Sequence, residues 1–395
     1  MGKLKNLLKT QMVRLGRREA IDPRIWIFSS TDNRHYNYNS RYLFEYVKDH
    51  VKDITPYFVI NDPVLREKLS KEYGEKYFID TETTKGIHTV LKAGVWFTSA
   101  GMPVYGVGFR KKHIVVNLWH GVPLKKIALL DPNLGKAARI YFKKLFTENY
   151  THILTTSTNL VPIMAKSFAI GTEKIHVWGQ PRNDVLFQKQ DVKKVFERIY
   201  KELPPYEKVI LYAPTFRDYG NTRIFPFEDY DHKKLEAFLE KEKILLCIRT
   251  HISEKGSAEA YLSDHIRFLG NEEAEDIAEL LNCFDVLVTD YSSIYIDYLL
   301  LDRPEIFLPY DKETYLDGRG MNFDYDQVTP GPKPQSQEMF LEELEKLIKD
   351  KNYYKSERQS LNLQFNQIQK PCCKRICMEI RKECTGKKEW QSGRK

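Results

Sequence analysis

Four short stretches of this chain lead from apolar runs into side chains that bind anions or move protons. In VLVTDYSSIYIDYLLL, the β-branched run Val286 to Thr289 is followed by Asp290, Tyr291, Ser292 and Ser293, and then by Ile294 to Leu301 at helical spacing. A strand, a tight turn and a helix in that order leave free backbone N–H groups and the positive end of a helix dipole facing whatever lies above the sheet, which suits a phosphate. Ser292 or Ser293 would cap that helix and Asp290 would hold the turn, and the same residues would do as much in a helix that binds nothing. A second apolar run, Ile114 to Leu118, enters Trp119, His120, Gly121, Val122, Pro123, Leu124, Lys125 and Lys126. This sets a histidine on a turn directly after a buried strand. Val209 to Tyr212 ends in Ala213, Pro214, Thr215, Phe216, Arg217 and Asp218, and Ile244 to Ile248 ends in Arg249, Thr250 and His251. Packing accidents would place polar groups at either strand end, so their shared position marks a site.

The elements that must carry these turns alternate regularly. Strands are predicted at Ile25 to Ser29, Tyr57 to Ile60, Val95 to Thr98, Ile114 to Leu118, His152 to Thr155 and Ile175 to Trp178, with helices such as Ser40 to Val51 and Asn159 to Phe168 between them. Such alternation predicts a parallel sheet covered on both faces. A charged helix, Gln188 to Glu202, stops at Pro204 and Pro205, and strands recur at Val209 to Tyr212, Ile244 to Ile248, Ile266 to Leu269, Val286 to Thr289 and Glu305 to Leu308. The expected fold class is α/β and GT-B-like: two facing Rossmann-like domains with a cleft between them, plus basic amphipathic helices. The expected divisions are a basic helix at 1–20, an N-terminal domain at 21–185, a C-terminal domain at 186–350, and a helix with a basic tail at 351–395. The chain holds no G-x-G-x-x-G loop, which argues against nicotinamide chemistry.

Charge and composition narrow the classes further. The 395 residues are 42% hydrophobic with a net charge of +8, the composition of a folded chain. No apolar run reaches the roughly 18 to 20 residues of a membrane span, and no signal-peptide core is visible, so a cytosolic location is expected. Six cysteines are read as reduced thiols, because C-C-x3-C-x6-C at Cys372, Cys373, Cys377 and Cys384 matches no zinc spacing. The tail from Cys372 onward is read as a solvated end without an apolar stripe. Residues 1–18 hold six basic side chains, Lys3, Lys5, Lys9, Arg14, Arg17 and Arg18, and no acidic one. With Leu4, Leu7, Leu8, Met12 and Leu15 at helical spacing, they form a helix fit either for an anionic membrane surface or for packing on its own domain. No nucleic-acid-binding pattern accompanies the positive charge, so nucleic acid is not an expected partner.

The motifs taken together resemble a known family, the CDP-glycerol glycerophosphotransferases and related polyol-phosphate transferases that build teichoic acids and capsular polymers. NLWHGVPLKKI from Asn117 to Ile127 resembles its W-H-G-T-P-L-K segment, and GQPRNDVLF from Gly179 to Phe187 its G-x-P-R-N-D segment. YAPTFRD from Tyr212 to Asp218, RTHIS from Arg249 to Ser253 and TDYSSIYIDYLLLDRP from Thr289 to Pro304 resemble three more, followed in order by Tyr310-Asp311 and a TPGP at Thr329. Val122 stands where the family usually has Thr, and Thr329 replaces a commoner Ala.

The resemblance implies a CDP-polyol donor, CDP-glycerol or CDP-ribitol, an acceptor hydroxyl on a lipid-linked saccharide or growing polymer, and release of CMP at the cytoplasmic face of the plasma membrane, with the enzyme peripherally bound. An alcohol attacks poorly unless a base takes its proton, and the ordinary pKa of histidine serves this near neutrality. His120 is expected in that role. Arg249, His251, Ser292, Ser293, Asp290, Thr215 and Arg217 are expected at the donor phosphates and nucleotide. His251 either stabilises charge there or protonates the leaving group. Lys125, Arg182 and Asn183 are expected as further phosphate or acceptor contacts. The scheme requires no cofactor and no metal, and the D-x-D at Asp324 and Asp326 is a weak signal for one. A helix from Asn133 to Tyr150, carrying Lys136, Arg139, Lys143 and Lys144, would help present the catalytic turn to the membrane. The competing class is a GT-B sugar transferase, which would release a nucleoside diphosphate instead of CMP.

Overall fold

The computed structural model describes residues 2–16, 20–217, 222–250 and 258–386. His251 lies outside them, as do Arg17 and Arg18 and the side chains of Lys3 and Lys5. The chain divides into two compact units, Met1–Asp184 with Gln367–Lys395, and Val185–Asn366.

Unit 1 is built on seven strands: β1 (Asp22–Ser29), β2 (Thr55–Val59), β3 (Phe78–Ile79), β4 (Ala93–Thr98), β5 (Ile114–Asn117), β6 (His152–Thr155) and β7 (Ile175–Val177). They pair in the order β3-β2-β1-β4-β5-β6-β7, and every pairing is parallel. The helices are α1 (Gly2–Gly16), α2 (Tyr38–His50), α3 (Pro63–Tyr73), α4 (Thr84–Lys92), α5 (Lys136–Leu145) and α6 (Val161–Phe168). Because side chains alternate along a strand, Trp26, Phe28, Val95, Phe97, Ile114 and Val116 pack on one face with Leu43, Phe44 and Val47 of α2. Ile27, Trp96 and Val115 pack on the other face with Ile87 and Val90 of α4 and Met164 and Phe168 of α6. Both faces are covered, as the unbroken apolar strand sequences require.

Unit 2 repeats the plan with β8 (Lys208–Ala213), β9 (Ile244–Ile248), β10 (Ile266–Phe268), β11 (Val286–Thr289) and β12 (Glu305–Phe307) in the parallel order β10-β9-β8-β11-β12. Its helices include α7 (Val192–Ile199), α8 (His232–Lys241), α9 (Ile294–Tyr298), α10 (Lys312–Arg319), α11 (Gln337–Lys349) and α12 (Lys355–Phe365). Leu235 and Leu239 of α8 and Phe340 and Leu344 of α11 pack on Ile210, Leu246 and Val288. Strand order reverses between β1 and β4 in the first sheet and between β8 and β11 in the second, and such switch points open crevices at the carboxyl ends of strands.

Several elements differ from expectation. The two-residue β3 has no periodicity to show in sequence. The charged helix shrinks to α7, where Asp191 caps the N-terminus by accepting from the Lys194 N–H, and α5 covers only Lys136–Leu145 of the segment expected from Asn133 to Tyr150. The C-terminal region is not a separate solvated end. Residues 367–395 belong to unit 1, and helix α13 (Cys373–Gly386) buries Cys373, Ile376, Cys377 and Ile380 against its sheet. Cysteine acts here as a small hydrophobe, which completes a stripe at helical spacing. Each of the two fully buried isoleucines contributes roughly 1.5–3 kcal/mol. Asp184 anchors the start of α13 by accepting from the Cys372 and Cys373 N–H groups at 2.7 and 3.0 Å.

Helix α1 divides its apolar residues. Leu7 and Val13 pack against the unit 1 core, while Leu8, Met12 and Leu15 are 60%, 73% and 88% exposed. The Asn6 amide donates to the Thr81 carbonyl and Lys9 to the Glu82 carbonyl, so one face of the helix docks on its own domain and the other carries an uncovered apolar stripe.

Candidate active site

In unit 1, the β5 strand ends at buried Asn117, whose side chain accepts from the Trp119 N–H at 2.9 Å and turns the chain. Trp119 takes a left-handed backbone with φ of 54°, as does Tyr38 at the start of α2 with φ of 58°. Such conformations cost non-glycine residues about 1–3 kcal/mol, and they cluster where surrounding structure holds a functional group. Here both strained residues flank His120: the Tyr38 ring stacks on the imidazole at 4.9 Å and 23°, and the Trp119 ring lies 4.1 Å away.

The tautomer of His120 follows from its partner. Nδ1 lies 2.9 Å from the Ser99 carbonyl, which only accepts, so Nδ1 carries the proton and Nε2 offers a lone pair. Ser99 is held in turn by the Ser40 N–H and hydroxyl. Buried Asn39 donates to the Leu118 and Trp119 carbonyls and accepts from the Arg182 N–H at 3.0 Å, and Arg182 Nη1 donates to the His120 carbonyl at 2.9 Å. Burial pushes the imidazole pKa down to about 4; the Arg182 charge adds to this and the Ser99 carbonyl opposes it. The ring is therefore neutral at pH 7, in the form that takes a proton.

Tyr38, Asn39 and Ser99 are absent from the residues expected at the site. The run Asn37-Tyr38-Asn39-Ser40 after β1 is the signal that could have found the first two. Arg182 and Asn183, expected near phosphate or acceptor, lie in the segment that supports the histidine turn, where the Asn183 N–H donates to the Gln180 carbonyl. Lys125 is partly buried beyond the turn, and Val122 is buried at 6% exposure, so the position that departs from the family is part of the packing.

In unit 2, Thr215, Asp290, Ser292 and Ser293 stand at the carboxyl ends of β8 and β11, on either side of the switch point. Two expected phosphate ligands are otherwise engaged. Arg217 is 2% exposed; its Nε donates to Asp311 at 2.7 Å, its Nη2 to Asp290 at 2.8 Å, and its Nη1 to the Thr215 carbonyl. The rings of Tyr291, Tyr310 and Tyr315 surround the guanidinium at 5.0 to 5.1 Å. Desolvation opposes its charge, but hydrogen bonding to Asp311 and the Asp290 charge hold its pKa above the ordinary value. Asp290 in turn accepts from the Thr215 and Tyr291 N–H groups at 2.9 and 2.6 Å. Arg217 and Asp290 thus tie three strand-end loops together.

Arg249 is likewise turned aside. Its Nη1 donates to the Leu269, Gly270 and Ala274 carbonyls and its Nη2 to Asn271, fastening the loop after β10, while burial lowers its pKa against the charges of Asp276 and Glu273. The helix behind the two serines is also shorter than expected. α9 spans Ile294–Tyr298, followed by a 3-10 turn at Leu299–Leu301 and a left-handed Asp302 ahead of Arg303-Pro304. Ser293 makes no side-chain capping bond, and the Ser292 hydroxyl accepts only a long bond of 3.4 Å from the Ile294 N–H. The dipole is correspondingly weak, and the hydroxyls are the larger resource for an anion.

Thr215, expected at the donor phosphates, has a neighbour to which the sequence reading gives no role, Thr250. The hydroxyls of Thr215 and Thr250, at the ends of neighbouring strands β8 and β9, are buried with no hydrogen-bond partner among the described residues. Buried polar groups are nearly always paired, so two orphans at one strand edge mark a place for a polar guest. At the D-x-D pair, Asp326 pairs with Lys312 and its N–H donates to Asp324, and no three-ligand cluster occurs among the described residues.

Two Rossmann-like units with parallel sheets and polar strand ends define a GT-B-like α/β protein. The chain belongs to the CDP-glycerol:poly(glycerophosphate) glycerophosphotransferase family, whose model matches residues 11–380. It is 28% identical over 373 residues to a teichoic acid glycerol-phosphate transferase of Staphylococcus aureus, covering 89% of this chain and 92% of that protein. It is also 28% identical to a teichoic acid poly(glycerol phosphate) polymerase of Bacillus subtilis over 87% of this chain, and 32% identical to a poly(ribitol-phosphate) polymerase of Bacillus spizizenii over 63%. The chain spans 47% and 40% of the lengths of those two polymerases. The fold matches the wall teichoic acid polymerase TagF with a TM-score of 0.77 at 21% identity, covering 97% of this chain and 94% of that one. A UDP-N-acetylglucosamine 2-epimerase of Listeria monocytogenes, described as putative, shares the fold more distantly, with a TM-score of 0.56 at 13% identity, covering 92% of this chain and 97% of that one.

Proposed function

We propose that this chain transfers a polyol phosphate from a CDP-polyol to a hydroxyl of a lipid-linked saccharide or polymer in teichoic acid or capsular polysaccharide synthesis, with release of CMP. The observation that carries the reading is the geometry of His120: Nδ1 fixed on the Ser99 carbonyl, the ring held between Tyr38 and Trp119, and a neutral Nε2 left as base. Nε2 takes the acceptor hydroxyl proton as that oxygen bonds to the phosphorus carrying the polyol. The bond from this phosphorus to the bridging oxygen breaks, and CMP departs with the electron pair. Ser292, Ser293, Thr215 and Thr250 hold the donor phosphates, and His251 either joins them or protonates CMP. Glycerol is favoured over ribitol because a relative matched nearly end to end is named a glycerol-phosphate transferase.

Membrane contact is part of this reading. No helix among the described residues is long and apolar enough to cross a bilayer. The exposed stripe Leu8, Met12 and Leu15 and the exposed Ile140 and Tyr141 of α5, near Lys136 and Lys143, suit an anionic interface at the cytoplasmic face of the plasma membrane. Arg139 is not part of that basic surface, since it donates to the Leu134 and Asp131 carbonyls.

The test is CMP release by purified protein given CDP-glycerol or CDP-ribitol with a membrane lipid extract. Turnover with one donor, abolished in His120→Ala, supports the assignment. Turnover only with a nucleotide sugar, releasing a nucleoside diphosphate, replaces it with the glycosyl-transfer class.

A further inference from the structure

We propose that Trp119 acts through His120 as a positioning residue, its indole face stabilising the imidazolium that forms when Nε2 takes the acceptor proton. The inference rests on the reading of His120 as the base and deepens it. Successive side chains of an extended chain point to opposite faces, so the rings of adjacent residues do not ordinarily meet. Here the left-handed backbone of Trp119, with φ of 54°, brings its indole to 4.1 Å from the imidazole centre, with 34° between the planes. Edge-on pairs keep their centres roughly 4.5 Å or more apart, so the indole meets the imidazole with its face. The fully buried Phe168 holds the indole in turn, edge to face at 5.2 Å and 81°.

The contact matters because of the charge that the reaction creates. As the acceptor oxygen bonds to phosphorus its proton passes to Nε2, the bond to the bridging oxygen breaks, and CMP takes the electron pair. The imidazolium returns its proton to solvent before the next turnover. Burial opposes that cation, and so does the nearby charge of Arg182. Nδ1 donates to the Ser99 carbonyl, a neutral acceptor where a carboxylate would have supplied a counter-charge. Of the neighbours given for the ring, Tyr38 of α2, Ser99 after β4, Trp119 and Arg182, only Arg182 is charged, and its sign is unfavourable.

The aromatic faces are then the favourable electrostatic partners. A cation within about 6 Å of a ring centre is drawn to the negative face, to indole most strongly, and more so when desolvated. Trp119 at 4.1 Å and Tyr38 at 4.9 Å both meet this condition, and Trp119 is the nearer and the stronger. A neutral imidazole gains little from such a face. The gain appears as the proton arrives, so it favours the transition state over the bound substrate.

The experiment uses the full chain with tryptophans of one to four fluorines placed at position 119 alone. Fluorine withdraws charge from the indole face while nearly keeping its shape, so packing and water access stay the same. CMP release from a CDP-polyol with a membrane lipid extract is followed against pH, and the His120 imidazole of the free protein is titrated by NMR. The expected result is a stepwise fall in kcat, roughly tenfold across the series, with KM unchanged. The acid limb of kcat/KM and the NMR midpoint should both move to lower pH, because a weaker face holds the proton less well. The same residues placed at Trp178, which stacks on His176 at 4.5 Å, should leave CMP release within about twofold. An NMR midpoint that stays fixed along the series would overturn the proposal, as would equal losses from position 178. A midpoint that falls while CMP release holds constant would instead overturn His120 as the base, and with it the proposed function.

Discussion

Tyr38 and His120 stack with ring centres 4.9 Å apart and planes 23° apart, although 82 positions of sequence separate them and Tyr38 holds a left-handed backbone to do so. The stack, the Ser99 carbonyl and Trp119 together leave the imidazole one orientation. Tyr38→Phe keeps the ring and should retain activity within about twofold. Tyr38→Ala should lower kcat by roughly 10- to 100-fold with little change in KM, as expected when a reacting group is misplaced by about 1 Å. Equal kcat in Tyr38→Ala and wild type would show that the ring does not position the base.

The lowered pKa of His120, about 4, sets a sign for the pH profile. A base acts in its neutral form, so its activity is present above that value and lost as pH falls through it. The limb of kcat/KM assigned to His120 should be flat from neutrality down to about pH 5 and fall below that. Arg182→Gln removes a positive charge that lowers this pKa and should move the limb upward. A limb with its midpoint near 6.5, unmoved by Arg182→Gln, would contradict the burial of the free enzyme's imidazole.

Arg217 and its two carboxylates should behave as structure. Arg217→Ala leaves Asp290 and Asp311 facing each other without their cation and should cost about 3–5 kcal/mol, read by denaturant unfolding. Asp311→Asn should cost less and couple strongly with Arg217→Ala in a double-mutant cycle. A normal unfolding midpoint for Arg217→Ala, combined with a raised KM for donor, would return this residue to the phosphate site.

Glu305 is a liability in the core of unit 2. Its side chain is fully buried, neither carboxylate oxygen has a hydrogen-bond partner among the described residues, and burial raises its pKa well above the ordinary value against the charge of Arg358. A raised carboxyl pKa adds stability that is complete below the unfolded value near 4.3 and is lost as pH rises through the folded one. Glu305→Met should therefore stabilise the protein, and more at pH 8 than at pH 5. A destabilised variant at both pH values would mean that the carboxylate is paired in solution.

Much of the architecture was legible in the sequence because buried parallel strands are written as unbroken apolar runs. His152–Thr155, Ile244–Ile248 and Val286–Thr289 appear where the pattern places them, and the polar turns follow them. The helix α13 was not legible, because Cys373 and Cys377 read as thiols until a core surrounds them.

By itself the sequence determined the alternation of strand and helix, the two-unit α/β plan, the placing of His120, Thr215 and Ser292 at strand ends, and the family. Local periodicity and turn chemistry are short-range properties that a linear pattern records. Only the tertiary structure decided which polar groups are available. Arg217, Asp290 and Arg249 have the right chemistry at the right strand ends, yet partners 73 to 94 positions away for Arg217, and the carbonyls of the loop after β10 for Arg249, already hold them. Tyr38, Asn39 and Ser99 reach His120 only once α2 and β4 pack beside β5. Whether a side chain meets a substrate or a neighbour depends on contacts between distant segments, and those exist only after the chain has folded.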